Sequence, residues 1–209
     1  MTGAKDDAEA ARKLFAGSCD FIWGATSVDN LPPATLPEVA FVGRSNAGKS
    51  SLLNALTSRK ALARVSHTPG RTRQINFFNL ADRIVLADLP GYGYAKASKS
   101  LADEWQDLIF AYLRGRAALS RVALLIDARR GAMDIDLQAM KLLDQAAVSY
   151  VLVLTKTDQL KPAEREKAEA DIATEAKRHT AAYPEIFATS SLKNLGLEGL
   201  KMHIAALAA

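Results

Sequence analysis

The residues best suited to chemistry follow an apolar run. Val39-Ala40-Phe41-Val42 leads into Gly43-Arg44-Ser45-Asn46-Ala47-Gly48-Lys49-Ser50, which fits the spacing G-x-x-x-x-G-K-[ST], and the helix-like Leu52-Leu53-Asn54-Ala55-Leu56 follows. Glycines at these positions let successive backbone N–H groups face phosphate oxygens, at a helix N-terminus whose dipole favours anions. Lys49 is then placed to reach the β- and γ-phosphates of a nucleotide, and the Ser50 hydroxyl to ligate Mg²⁺.

That loop alone does not choose between adenine and guanine. Asp88-Leu89-Pro90-Gly91 closes a second apolar run. Such a D-x-x-G sets a carboxylate beside Mg²⁺ and offers the Gly91 N–H to a γ-phosphate, although Asp before Pro-Gly also makes a simple turn. Thr155-Lys156-Thr157-Asp158 ends the run Val151-Leu152-Val153-Leu154, and it decides the base. The Asp158 carboxylate can accept from guanine N1–H and the N2 amino group, where adenine offers no donor. Each hydrogen bond to a charged group is worth about 1.5–3 kcal/mol, so the preference for guanine is strong. Thr189-Ser190-Ser191 sits after a later apolar run, where a backbone N–H can read guanine O6. A Ser-Ser turn means nothing alone and counts here because it follows the other three in order.

These segments need strands to hold them. Candidates are residues 39–42, 74–80, 84–89, 122–128, 150–155 and 185–189, several of them continuously apolar, as expected of parallel strands covered on both faces. Helical patterns alternate with them. In 101–113, Leu101, Trp105, Leu108, Ile109 and Tyr112 make one apolar stripe, with Ser100 as its N-cap. Pro162 suits the first turn of the next helix, whose charges form a solvated face, and a last helix spans 197–207. The order predicts an α/β fold: a three-layer P-loop NTPase domain with a mostly parallel six-stranded sheet and helices on both faces. Residues 36–209 form that domain. Residues 1–35 are expected to form an N-terminal extension: a short helix, whose Leu14, Phe15, Phe21, Ile22 and Trp23 pack on the domain, and a linker holding Pro32 and Pro33.

Composition narrows the function further. The chain has 209 residues, 49% hydrophobic and 24% charged, the balance of an ordinary globular domain. Its longest apolar runs fall far short of the roughly 20 residues a membrane span needs, and the N-terminus lacks a secretory pattern, so a cytoplasmic location without membrane contact is expected. Cys19 is the single cysteine, which rules out an intrachain disulfide, and the three histidines are too scattered to suggest zinc. The net charge of +4 is uneven: residues 39–81 carry seven basic and no acidic side chains, whereas 82–209 are balanced. Lys49 answers to nucleotide phosphate. Arg44, Arg59, Lys60, Arg64, Arg71 and Arg73 imply a further anionic partner, a nucleic acid, unless they form only a solvated basic surface. Tyr92, Tyr94, Lys96 and Lys99 could join such a contact.

The four motifs in this order match those of translation-factor-like GTPases. In detail, PEVAFVGRSNAGKSSLLNAL, TPGRTRQINFF, DLPGYGYAKAS, TKTDQL and SSLKNLGLEGL closely resemble the EngB (YsxC/YihA) family of bacterial GTPases, from about Leu36 to the C-terminus. The resemblance implies GTP and GDP as ligands, slow GTP hydrolysis coupled to late assembly of the large ribosomal subunit and its rRNA, and a link to cell division and septation. It also implies that Thr72 joins Ser50 on Mg²⁺ and that the segment Gly70, Arg71, Thr72, Arg73 and Gln74 lies along the phosphates. With Lys49 and Gly91, Thr72 completes the expected catalytic set. Tyr92 stands where Ras-type enzymes carry the water-orienting glutamine, so unassisted turnover is expected to be slow. Asn46 can compensate by ligating K⁺, or can simply bond its own loop. Arg71 or Arg73 could serve as an arginine finger, though phosphate or RNA contact explains them as well. Two other readings are a signalling switch with a protein effector in the division machinery and, disfavoured by Asp158, a P-loop kinase. The protein is expected to be a monomer.

Overall fold

The apolar runs become strands because their alternating side chains have two layers to enter. The computed structural model describes residues 3–59, 62, 74–92 and 108–208. Its strands are β1 (Cys19–Ala25), β2 (Glu38–Gly43), β3 (Ile75–Leu80), β4 (Ile84–Asp88), β5 (Leu119–Asp127), β6 (Tyr150–Thr155) and β7 (Ala182–Ala188). They form one sheet in the order β1-β3-β4-β2-β5-β6-β7. From β4 to β7 the pairings are parallel; β3 runs antiparallel to β4 and to β1.

Among the described residues six helices cover the sheet: α1 (Gly3–Ala16), α2 (Lys49–Leu56), α3 (residues 108–115), α4 (Asp134–Gln145), α5 (Pro162–Ala176) and α6 (Leu197–Ala205). In β6, Tyr150, Leu152 and Leu154 enter the layer of α3, α4 and α5, while Val151 and Val153 enter that of α1, α2 and α6. The same division runs through β2 and β5, which is why these runs read as apolar throughout. Leu108, Ile109 and Tyr112 are buried as their spacing predicts; Ser100, Leu101 and Trp105 lie outside the described residues. Pro162 opens α5, where the Glu164 carboxylate accepts from the Lys161 N–H at 2.8 Å and closes the first turn.

The sheet has seven strands rather than six. The additional strand, β1, comes from the segment expected to hold only a helix and a linker. Phe21, Ile22 and Trp23 suit a pleated surface, and the free edge of β3 provides a partner; Phe21 packs edge-on against Phe78 at 5.8 Å. Leu14 and Phe15 are buried, but Phe21, Ile22 and Trp23 remain 57%, 43% and 44% exposed, because an edge strand has a neighbour on one side only. The Pro-rich stretch is anchored as well: the Pro32 carbonyl accepts from Arg116 at 2.7 Å.

Register brings the motif ends together. Gly43 lies opposite Leu125, Asp127 opposite Thr155, and Leu154 opposite Ala188. Parallel strands end on one edge, where ligands of such sheets collect. Among the described residues no helix is long and apolar enough to cross a membrane.

Candidate functional site

The phosphate loop leaves β2 at Gly43 and enters α2 at Lys49 through two residues of positive φ, Asn46 (66°) and Gly48 (92°). Gly48 caps α2 in the left-handed region, where a side chain would be strained. No side chain caps the helix and no acidic residue occupies its first turn. The N–H groups there are therefore left for an anion. Ser45 and Ser50 are half-buried, and Asn46 is exposed.

Asp88, at the end of β4, pairs with the Lys49 ammonium, and both side chains are nearly buried. Leu89 and Pro90 are buried behind them. Gly91 then passes so close to the phosphate loop that an added Cβ would lie 3.1 Å from the Ser45 nitrogen and 3.2 Å from the Gly43 oxygen. Two backbone bonds fix this approach: Tyr92 N–H to the Gly43 carbonyl at 3.1 Å, and Ser45 N–H to the Tyr92 carbonyl at 3.0 Å. The Tyr92 hydroxyl turns away and donates to Asp136 in the first turn of α4 at 2.7 Å. Burial, reinforced by the Asp136 charge, holds that phenol far above its ordinary pKa. A group committed to α4 is not available to orient a water.

The base-reading segment is tied to the same loop. Thr155 Oγ1 donates to the Ala47 carbonyl at 2.6 Å, and Lys156 Nζ to the Asn46 carbonyl at 2.6 Å. Thr157 donates through its N–H and its hydroxyl to the Thr189 carbonyl, at 3.2 and 3.0 Å. Thr189 in turn donates to the Leu154 carbonyl, from its N–H at 2.7 Å and its hydroxyl at 2.9 Å. Asp158 is half-buried in the one-turn 3-10 helix Thr157–Gln159. Ser190 is fully buried, exchanges backbone hydrogen bonds with Leu195 at 3.0 and 3.1 Å, and accepts from the Lys193 N–H at 3.1 Å; Ser191 follows it, half-buried. The segments after β2, β4, β6 and β7 thus share one edge of the sheet. Gly70, Arg71, Thr72 and Arg73 lie outside the described residues. Gln74, expected along the phosphates, instead donates to Asn76 at 2.8 Å and its amide crowds Gly24 of β1. It precedes β3, two strands removed from β2.

The donor set suits Mg²⁺. Ser50 and Asp88 offer hard oxygens, and among the described residues no three His, Cys, Asp or Glu side chains gather into a cage. Such a site suits an ion that takes most of its ligands from phosphates and water.

Residues 38–156 match the family model described as 50S ribosome-binding GTPase. The chain is 56% identical over 200 residues to a probable GTP-binding protein EngB of Gluconobacter oxydans, covering 96% of this chain and 88% of the relative. The chain belongs to the EngB family. It is accordingly a GTPase, which binds GTP and GDP. Among solved structures, a probable EngB GTP-binding protein superposes with a TM-score of 0.64 at 24% identity, covering 81% of this chain and 97% of the other, and shares its fold. Era in complex with MgGDPNP and nucleotides 1506–1542 of 16S ribosomal RNA superposes with a TM-score of 0.67 at 26% identity, over 83% of this chain and 57% of Era.

Three residues bonded to the candidate site escape motif reading: Asp127, Arg129 and Asp136. Asp127 and Asp136 are among the buried acids. A carboxylate closing the apolar run of β5, beside the strand that carries Thr155, is the signal that could have found Asp127.

Proposed function

We propose that this GTPase is a nucleotide-gated assembly factor for the large ribosomal subunit, working in the cytoplasm as a monomer. The observation that carries the reading is the concentration of seven basic and no acidic side chains in residues 39–81, the stretch of sequence that includes the phosphate loop and α2. One lysine serves the nucleotide, and the rest suit RNA phosphates. The matching family is that of 50S ribosome-binding GTPases, and Era, a structural neighbour, was captured with 16S ribosomal RNA.

In this reading the N–H groups of residues 46 and 48–50 and the Lys49 ammonium hold the β- and γ-phosphates, and Asp158 selects guanine with the backbone of Ser190 and Ser191 on O6. Ser50 and Thr72 would hold Mg²⁺, with Asp88 near it, and the ion would supply positive charge against the γ-phosphate. Gly91 donates its N–H to the γ-phosphate and follows its loss. Because Tyr92 is engaged with Asp136, no side chain at that position orients the attacking water, so turnover is slow without assistance; the ribosomal particle, or K⁺ if Asn46 ligates it, would supply the missing charge. Hydrolysis releases the segments around Thr72 and Gly91, and the factor leaves its RNA.

Reversing the charges of Arg59, Lys60 and Arg64 tests this directly; Lys60 and Arg64 lie outside the described residues. Co-sedimentation of the GTP-loaded variant with large-subunit particles should fall by roughly one order of magnitude or more relative to the parent, with a shallower salt dependence, while GTP affinity stays put. Unchanged co-sedimentation would refute the RNA role.

A further inference from the structure

We propose that Asp127 is a positioning residue of the guanine nucleotide site: it holds Lys156, and through Lys156 the phosphate loop, in the geometry that retains nucleotide, while Arg129 holds Asp127. The inference rests on GTP binding by this family and is independent of the ribosomal reading.

Asp127 is the last residue of β5, nearly buried, and lies opposite Thr155 in the register of β5 and β6. Both of its oxygens are occupied. Oδ1 accepts from Arg129 Nε at 2.9 Å and from the Arg129 N–H at 3.1 Å. Oδ2 accepts from the second arm of the guanidinium at 2.6 Å and from Lys156 Nζ at 2.9 Å. Burial alone would raise this carboxyl, yet the hydrogen bonds from Arg129 and Lys156 hold it far below the usual carboxylate range. Arg129 also donates to Gln159 at 2.8 Å, in the turn that carries Asp158.

The Lys156 ammonium is therefore divided between Asp127 and the Asn46 carbonyl of the phosphate loop. The two residues so joined share an unusual backbone: φ is 58° at Lys156 and 66° at Asn46. Asn tolerates that region, but a lysine enters it at a cost and stays only where its surroundings demand it. Without the Asp127 charge, the ammonium has no counter-ion at the end of β5 and solvation competes for it. Its bond to Asn46 then loosens, and with it the tie between the base-reading turn and the phosphate loop. The carboxylate would act at a distance on nucleotide it does not touch.

The test measures release of fluorescent GDP from the full chain by stopped flow. Asp127→Asn keeps the shape and removes the charge; release should accelerate roughly tenfold, the loss of about one charge-assisted hydrogen bond. In a Lys156→Met background the same substitution should add nothing, because Asp127 acts through Lys156. Arg129→Lys should release GDP at a rate between those of the parent and Arg129→Ala, and it keeps the question open to measurement should Asp127→Asn fold poorly. A purely structural role would lower the melting temperature and the fraction that binds, but leave the release rate of bound GDP alone. Release from Asp127→Asn within twofold of the parent, or effects of Asp127→Asn and Lys156→Met that multiply, would overturn the proposal.

Discussion

Arg116→Met should cost this protein a large part of its stability, and the reason lies at the start of β2. Glu38 is 2% exposed. Its carboxylate accepts from Arg116 Nε at 3.0 Å to each oxygen, from a terminal guanidinium nitrogen at 2.5 Å, and from the Tyr112 hydroxyl at 2.9 Å. The same guanidinium donates to the Pro32 carbonyl and lies 5.7 Å from the centre of the Phe77 ring. Methionine keeps the stem and strands the carboxylate with a single phenol for company. Breaking a buried pair on one side costs about 3–5 kcal/mol, against a total of about 5–15 kcal/mol for a domain. At about 2–4 °C per kcal/mol for a chain of this size, melting should fall by about 6–20 °C. Urea unfolding followed by circular dichroism measures the loss. The double variant Glu38→Leu with Arg116→Met removes both charges and should recover most of it, since apolar replacement of a whole buried pair is often neutral. If Arg116→Met lost under about 1 kcal/mol, or if the double variant were no more stable than the single, the buried charge would not be the cause.

Asp158→Asn replaces an acceptor with an amide, so GTP affinity should drop by about two orders of magnitude or more while xanthosine triphosphate becomes the better competitor; unchanged preference in competition binding would remove Asp158 from base recognition. GTP turnover should be several-fold faster in KCl than in NaCl if Asn46 ligates K⁺, and equal rates would leave Asn46 a loop residue. His203 is packed edge-on against Tyr183 and Phe187 at 5.0 and 5.3 Å. Burial, then the Arg121 charge, lowers its pKa from 6.5 to about 4, and the nearby Glu185 is too exposed to offset this. The unfolded chain therefore takes up the proton first, and stability is lost as pH falls from about 6.5 through about 4. His203→Gln should flatten that slope, as read from urea midpoints at pH 7 and pH 4.5; an identical slope would show that other groups carry it.

What could be read from residues alone was whatever depends on local spacing. Gly43 to Ser50 between a strand and a helix, and Asp158 at the end of β6, are written in consecutive positions, and the two-layer burial of β2, β5 and β6 shows as unbroken apolar runs. What could not be read depends on partners distant in the chain. β1 exists because β3 offers an edge to a short aromatic segment, and no periodicity in Cys19–Ala25 declares that partner. Glu38 meets Tyr112 and Arg116 across 74 and 78 residues of chain, and each reads alone as an ordinary polar residue. Tyr92 lay between the two cases: its type showed that the glutamine amide was missing, but only the fold shows its hydroxyl bound to Asp136. Gln74 read as part of the phosphate-side segment because it adjoins Arg73, yet its backbone already leads into β3.

The packing of α1 on α6 joins two helices separated by about 180 residues of chain. Leu14 and Phe15 share their layer with Leu197, Leu200 and Ile204, and the Lys201 ammonium lies 5.4 Å from the centre of the Phe15 ring. During translation α1 therefore lacks this partner until α6 has been made. Contacts so remote slow the final docking. The strands that carry the phosphate loop and the guanine-reading turn are complete before α6 exists, so a nascent chain can assemble most of its nucleotide site while α1 still lacks its partner.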